Sequence, residues 1–348
     1  MTAIKLDDVS IRAGKEVIID HIDLDLQRSS CTALLGASGS GKTSLLRTIA
    51  GFLRPHQGRV WLFGENVSET PPEKREISML FQDPVLFPSL TVRENAELAM
   101  GRRKDGLSAT CVESLGRDFQ ISDKLNRRVD SGLSGGERQR AALVRVFANT
   151  RDILLLDEPL RGALNVSLKW QLLRSIRNRI GNGSTTTIVV THDFVEAAYL
   201  ADNLVVLFDG SFAYGTPSDL YNRPPNLEVG LVLGPGNVMK AEFLRSIVDR
   251  DGRFPLTITG GVPITHGEMD VLFFRPEKVV LQPVNTGGFT VEADIFLGDV
   301  RRLRLRAPND AEIEAHVPAS APQAKHVTVS IRNDDIVVFD SCCRRRDV

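Results

Sequence analysis

Apolar runs rich in β-branched residues alternate with stretches of helical period from the N-terminus to about residue 215. That alternation predicts a mostly parallel sheet flanked by helices. The strongest strand signals are Cys31 to Leu35, Ile77 to Phe81, Ile153 to Asp157, Thr187 to Thr191 and Asn203 to Phe208. Between Pro84 and Thr150 the strand signal disappears, and helical stretches such as Val92 to Met100 and Glu137 to Ala148 predict a helical insertion over 84–150. A Pro- and Gly-rich stretch then runs from Asn222 to Asn237, with Pro224, Pro225, Gly234, Pro235 and Gly236, and reads as a boundary. Beyond it the period changes to two. Short alternating segments at Val271 to Phe274, Lys278 to Leu281, Thr290 to Phe296, Arg302 to Arg306 and Thr328 to Ile331 predict a small β-barrel or sandwich.

The pattern therefore divides the chain into an α/β domain over 1–225, a linker over 226–237 and a β-rich domain over 238–348. A length of 348 residues agrees with two domains at about 150 residues each. Forty-three Lys and Arg balance forty-four Asp and Glu, which removes a whole-chain electrostatic case for nucleic acid or an anionic membrane. Cys31, Cys111, Cys342 and Cys343 match neither a zinc spacing nor a disulfide framework, so a reducing compartment is expected. The start Met1-Thr2-Ala3-Ile4 lacks the features of a secretory signal, and no apolar run approaches the roughly 20 residues of a membrane helix. Any membrane connection is expected to run through a partner.

Gly36-Ala37-Ser38-Gly39-Ser40-Gly41-Lys42-Thr43 fits the phosphate-binding loop pattern, after an apolar strand and before the helical run from Ser44. Such glycines let successive N–H groups converge on phosphate oxygens at a helix N-terminus. Lys42 would reach the outer phosphates and Thr43 would ligate Mg²⁺. Ile153 to Leu156 form an apolar strand ending in Asp157 and Glu158, a place for a metal ligand and a base to face a bound triphosphate. Leu133-Ser134-Gly135-Gly136-Glu137 opens the helical run toward Ala148 and is itself a glycine turn at a helix start, with Ser134 placed as a cap.

Placed between a phosphate loop and an acidic strand end, that last string resembles the signature motif of ATP-binding cassette (ABC) ATPases. Two further marks fall in the family's order. Gln82 matches the glutamine that touches the metal and the attacking water, and His192 matches the histidine that contacts the γ-phosphate. The resemblance covers about residues 4 to 225. It implies a P-loop NTPase fold with a mixed sheet and a helical subdomain, with ATP and Mg²⁺ as ligands. Glu158, His192, Gln82 and Lys42 would be catalytic, and Thr43, Gln82 and Asp157 would hold the metal. ATP would be gripped by Gly36 to Ser44 of one chain and Ser134 to Glu137 of a second copy.

Phe274-Arg275-Pro276-Glu277 and Phe296-Leu297-Gly298-Asp299 resemble the oligonucleotide-binding-like (TOBE-type) regulatory domain of importer ATPases for maltose, polyamines, ferric iron, sulfate and molybdate. The implied activity is ATP hydrolysis coupled to solute uptake, at the cytoplasmic face of the inner membrane. The implied partners are a second copy, membrane permease subunits and, indirectly, a periplasmic or extracellular solute-binding protein, with ferric iron or a polyamine as cargo. No nucleic acid is expected. Leu86, Phe87 and Pro88 occupy the place of the family's groove for the permease's coupling helix. Two departures matter: no aromatic stands within Ile11 to Gly14 to stack on adenine, and the segment Arg161 to Asn165 is one residue longer than usual with Asn in place of Asp. They keep a weakly hydrolysing regulatory module as the alternative, with a soluble nucleic-acid-associated ATPase behind it. Arg302, Arg304 and Arg306 share one strand face, read as solvated, and Arg344 to Arg346 read as a frayed tail.

Overall fold

The computed structural model describes residues 1–100, 109–130, 132–162, 165–181, 185–240, 256–259, 270–340 and 342–345. They form two compact units, Met1–Pro217 and Ser218–Val348. In chain order the first carries β1 (Thr2–Ala13), β2 (Glu16–Gln27), β3 (Cys31–Gly36), α1 (Lys42–Ala50), β4 (Gln57–Leu62), β5 (Glu65–Asn66) and β6 (Ile77–Leu80). Next come α2 (Val92–Met100), α3 (Ala109–Asp118), α4 (Gly135–Ala148), β7 (Ile153–Asp157), α5 (Val166–Ile180), β8 (Thr186–Val190), α6 (Phe194–Leu200), β9 (Asn203–Phe208) and β10 (Ser211–Gly215).

A six-stranded sheet has the order β10-β9-β3-β8-β7-β6, parallel except for the β9–β10 hairpin. β3, β7 and β8 are buried along their whole length, which is why they read as unbroken apolar runs rather than alternating ones. A second sheet, β2-β1-β4-β5, is antiparallel, and the strand signals above did not foresee it. Its pattern is broken where β1 and β2 bulge at Asp8 and His21, both with left-handed φ, 54° and 50°. α1 lies in the apolar core that joins the two sheets: Leu45, Leu46 and Ile49 pack with Leu6 and Ile22 of one and Leu155 and Ile188 of the other. Burying three such side chains stabilises the helix by about 1.5–3 kcal/mol each. The stretch 84–150 holds α2, α3 and α4, and no strand occurs among its described residues.

The second unit has α7 (Pro217–Asn222) at its start and α8 (Leu227–Leu233), followed by β11 (Asn237–Lys240), β12 (Leu256–Thr259), β13 (Val271–Phe274), β14 (Val280–Val284), β15 (Phe289–Phe296), β16 (Val300–Arg306), β17 (Glu312–Pro318), β18 (His326–Arg332) and β19 (Ile336–Phe339). The stretch 226–237, expected as linker, thus contains a helix: Asn226 caps it by accepting from Val229 N at 2.8 Å, and Val229 and Leu233 are buried. The β-strands make a three-stranded sheet, β11-β13-β19, and a six-stranded one, β12-β18-β15-β16-β17 with β14 also on β18. β16 turns Leu303 and Leu305 inward and Arg302, Arg304 and Arg306 outward, as its alternation requires. Arg302 pairs with Glu314 at 2.6 Å, and Arg306 with Glu312 at 3.1 Å, so this face is a cross-strand ion-pair ladder. Arg301, on the inward face, is buried against Asp294. At the C-terminus Arg344 and Arg345 form isolated bridges with Asn226 and Phe339, while Arg346 lies outside the described residues.

Candidate active site

The strand order explains how residues far apart in sequence meet. β6, β7 and β8 are adjacent and parallel, with Leu80 level with Leu156 and Asp157 level with Val190. Continuing each strand by one or two residues brings Gln82, Glu158 and His192 to the same carboxyl edge, the usual binding crevice of such sheets. Gln82 Nε2 donates to Glu158 Oε2 at 3.4 Å, and His192 Nδ1 lies 3.5 Å from Glu158 Oε1.

β3 delivers the glycine loop to that edge. A Cβ on Gly36 would stand 2.5 Å from Ser40 Oγ and 2.6 Å from the Leu207 carbonyl, so the loop closes only with glycine there. Gly41 is the N-cap of α1 with φ 96°, in the left-handed region, and no side chain caps the helix. The first N–H groups of α1 therefore lack side-chain acceptors, and no carboxylate sits in its first turn, which leaves a positive helix end open to an anion. Ser40 Oγ is buried and has no hydrogen-bond partner, the kind of orphan that a ligand oxygen would satisfy.

Lys42 curls over this loop and donates to the carbonyls of Gly36 at 2.9 Å and Ala37 at 2.8 Å. Burial pushes its pKa down, and the nearby Glu158 and Asp157 carboxylates oppose that. Thr43 Oγ1 donates to Asp157 Oδ1 at 3.5 Å. Burial is the main cause that raises the Asp157 pKa, and Glu158 adds to it, while the Thr43 hydrogen bond works the other way. A buried carboxylate beside a second carboxylate and a hydroxyl is a donor set of hard oxygens, which suits a divalent cation such as Mg²⁺.

Lys42, Thr43, Gln82, Glu158 and His192 border a cleft of about 710 Å³, which Ser38, Gly39, Ser44 and Ile18 also line. Ile18 of β2 escaped the sequence reading, which looked for an aromatic within Ile11 to Gly14. Its Cγ2 would touch a Cβ on Gly41 at 2.6 Å, so it walls the same loop. Ser134 to Glu137 are not among the residues bordering the cleft. They form a capping box at the start of α4: Ser134 N donates to Glu137 Oε2 at 2.7 Å and Glu137 N to Ser134 Oγ at 3.3 Å. The hydrogen bond from the Ser134 backbone holds the Glu137 carboxyl below its ordinary range.

Glu158 has φ 46°, a left-handed turn that costs a non-glycine residue about 1–3 kcal/mol. Gln139 of α4, also missed in the sequence, donates from Nε2 to the Glu158 carbonyl at 3.2 Å. Asn165 is the N-cap of α5 and accepts from Ser167 N at 2.8 Å and Leu168 N at 3.2 Å, a place where Asn and Asp serve equally. Ala163 and Leu164 of that segment lie outside the described residues. Phe87 and Pro88 are exposed and Leu86 is half-buried, beside a cavity of about 210 Å³ bordered by Met79, Phe81, Val85 and Val146. The Arg145 guanidinium bonds the Val85 carbonyl and lies 5.3 Å from the Phe87 ring centroid.

A family model described as "ABC transporter" matches residues 19–161, and one described as "TOBE domain" matches residues 272–339. The Fe(3+) ions import ATP-binding protein FbpC of Fusobacterium nucleatum is 33% identical over 349 residues, 97% of this chain and 93% of that protein. The spermidine/putrescine import ATP-binding protein PotA of Spiroplasma citri is 34% identical over 308 residues, 87% and 85% of the two chains. The sulfate/thiosulfate import ATP-binding protein CysA of Mycobacterium tuberculosis H37Rv is 36% identical over 326 residues, 90% and 92%. Among solved structures, a bacterial Atm1-family ABC exporter with ATP bound aligns with TM-score 0.57 at 25% identity, over 66% of this chain and 41% of that one. A dimeric ABC cassette, MJ0796, bound to ADP and Pi aligns with TM-score 0.55 at 24% identity, over 62% and 98%.

Proposed function

The chain belongs to the ABC transporter ATP-binding proteins, as an ATP-hydrolysing subunit of an import complex, and from that premise we propose how its residues divide the work. The first N–H groups of α1 and Lys42 bind the β- and γ-phosphates, Glu158 polarises the attacking water, and His192 holds the γ-phosphate. Mg²⁺ held by Thr43, Asp157 and Gln82 would neutralise charge on the phosphate oxygens. The observation that carries the assignment is the convergence of Lys42, Thr43, Gln82, Glu158 and His192 on one cleft at the carboxyl edge of the sheet, with the buried Asp157 bonded to Thr43.

Water attacks the γ-phosphorus and the bond to the bridging oxygen breaks, releasing ADP and phosphate. Glu158 accepts hydrogen-bonding from the water and draws off its proton as attack proceeds. Lys42, already aimed into the loop by the Gly36 and Ala37 carbonyls, supplies positive charge where the outer phosphates sit. Because Ser134 to Glu137 stand away from their own chain's cleft, a head-to-tail dimer is the arrangement in which they reach a nucleotide, that of the second copy. The exposed Phe87 and Pro88 beside the cavity at Met79 and Val85 would receive a short helix of a permease subunit. Among the described residues no helix is long and apolar enough to cross a membrane, so attachment at the cytoplasmic face would run through that permease.

In this reading the nucleotide unit spans about 1–225 and the β-rich unit after 238 is regulatory. Relatives of near-equal identity bear the names of three different cargoes, which supports a reading in which the permease and binding protein choose the cargo. Ferric iron or a polyamine is the cargo we propose, tested by identifying the solute-binding protein that copurifies with the complex. The site itself is tested by Glu158→Gln, which keeps shape but not basicity. ATP binding is expected to persist while turnover falls about 10²-fold or more. Wild-type turnover in this variant would remove Glu158 from the role.

A further inference from the structure

Among the described residues bordering the cleft, Glu158 is the one non-glycine residue in the left-handed region, with φ 46°. Such a backbone persists only where its surroundings over-determine it. Three contacts do so. Glu158 N donates to the Val190 carbonyl at 3.0 Å, and its own carbonyl accepts from Arg161 N at 3.1 Å and from Gln139 Nε2 at 3.2 Å. The same Gln139 amide reaches the Pro159 carbonyl at 3.4 Å. Two of the contacts are backbone to backbone; only the one from Gln139 depends on a side chain.

Gln139 is buried, 4% exposed, in the second turn of α4. One turn earlier, a Cβ on Gly136 would stand 3.2 Å from the Gly162 carbonyl. The first two turns of α4 thus lie along the turn Glu158 to Gly162 and touch it near both ends.

We propose that Gln139 is a positioning residue for hydrolysis: its amide clamps the carbonyls of Glu158 and Pro159 and so holds the left-handed turn that aims the Glu158 carboxylate toward Gln82 and His192. The proposal rests on the reading of Glu158 as the base. Without the amide the turn loses its side-chain donor, and Glu158 can relax toward an ordinary φ that carries its carboxylate away from the water. The phosphate loop, built on β3 and α1, makes none of these contacts, so binding and turnover should separate. Because α4 begins at the signature loop, a shift of Ser134 to Glu137 along the helix axis would reach the base of the same chain through Gln139.

The test uses the full chain and Gln139→Met, which keeps length and helix propensity and lacks the N–H donors. Expected is a fall in kcat of about tenfold or more, with KM and the ATP dissociation constant within about twofold of wild type. In the Glu158→Gln background the same change should lower the residual turnover no further, as two groups acting as one unit behave. Wild-type kcat in a folded, ATP-binding Gln139→Met overturns the proposal. So does an equal loss of ATP affinity, which marks a general structural role, or a further loss in the Glu158→Gln background. Should the methionine variant fail to fold, Gln139→Asn, whose amide is one methylene too short to span both carbonyls, is judged by the same criteria. Full turnover by Glu158→Gln alone would sink the base assignment, and this proposal with it, whatever Gln139→Met does.

Discussion

Replacing Arg75 with methionine is expected to destabilise the unit Met1–Pro217 by about 3–5 kcal/mol while leaving the phosphate loop able to bind ATP. Arg75 is buried, and its guanidinium donates to four carbonyl oxygens. Nε donates to Thr70 at 2.9 Å, Nη1 to Thr48 at 2.9 Å and Ile49 at 2.6 Å, and Nη2 to Val67 at 2.6 Å. Thr48 and Ile49 lie in the last turn of α1; the Thr48 carbonyl also accepts from Gly51 N at 3.2 Å, and the guanidinium adds a second bond there and one to Ile49, so it acts as a C-terminal cap. Four bonds to a charged donor at about 1.5–3 kcal/mol each would total about 6–12. The cost of dehydrating the guanidinium, the same burial that lowers its pKa, offsets part of this, and water can reach some of the freed carbonyls. What remains is about the loss seen when one side of a buried charged contact is deleted. Arg75→Lys keeps a charge but no planar fork, so about half of that loss is expected.

Both tryptophans, Trp61 in β4 and Trp170 in α5, belong to this unit, so fluorescence during a urea titration reports its unfolding. The transition is identified as the one that ATP with Mg²⁺ moves to higher urea. A shift below about 1 kcal/mol would refute the capping argument. So would a loss of ATP affinity as large as the loss of stability, because Lys42 and Thr43 stand at the opposite end of α1 and should not feel its C-terminal carbonyls.

Gly41→Ala places a Cβ at φ 96° and 2.6 Å from Ile18 Cγ2, so the loop should open and ATP affinity fall about tenfold or more in equilibrium titration; unchanged affinity would show that the loop tolerates the side chain. His21 Nδ1 donates to Asp8 Oδ1 at 2.5 Å, which raises the histidine pKa above its ordinary value and lowers that of the aspartate. The proton on His21 therefore stabilises the bulge at low pH, and that contribution is lost as pH rises through its raised pKa. Asp8→Asn should bring the His21 ring titration, followed by NMR, back toward about 6.5, and an unmoved midpoint would exclude Asp8 as the cause. A fragment ending at Pro217 is expected to bind ATP as the full chain does; a folded fragment without ATP binding would place part of the site after residue 217.

The glycine loop was legible because its geometry is local. Eight consecutive residues supply the turn, the glycines and the helix start, and the apolar strand before them announces where the loop stands. Ile153 to Asp157 was legible for a related reason, since a strand buried on both faces has no polar positions to blur it. The antiparallel sheet was not. Bulges at Asp8 and His21 break the period of two in β1 and β2, and a bulge is decided by pairing rather than by either strand alone. Pro224, Pro225 and Gly234 to Gly236 read as linker, yet Asn226 caps a helix there and packing buries its apolar side. Composition cannot distinguish a proline that ends one element from one that leads into the next.

Motif order alone placed Gln82, Glu158 and His192 together, but the distances among them follow from β6, β7 and β8 lying side by side in parallel register, which no spacing along the chain encodes. Arg75, Gln139 and Arg301 were invisible for the converse reason. Arg75 and Gln139 are polar residues between charged neighbours, Arg301 lies in a strand whose other arginines face outward, and each is buried where carbonyls or a carboxylate come to it. Arg75 reaches the carbonyls of Thr48 and Ile49, 27 and 26 residues away, besides the nearer ones of Val67 and Thr70, and Gln139 reaches carbonyls 19 and 20 residues away. A buried polar group must be satisfied where the fold puts it. The sequence thus determined which chemistry was present, through contiguous residues whose backbone does the work. Tertiary structure decided which side chains hold that chemistry in place, because their partners exist only once distant segments have packed.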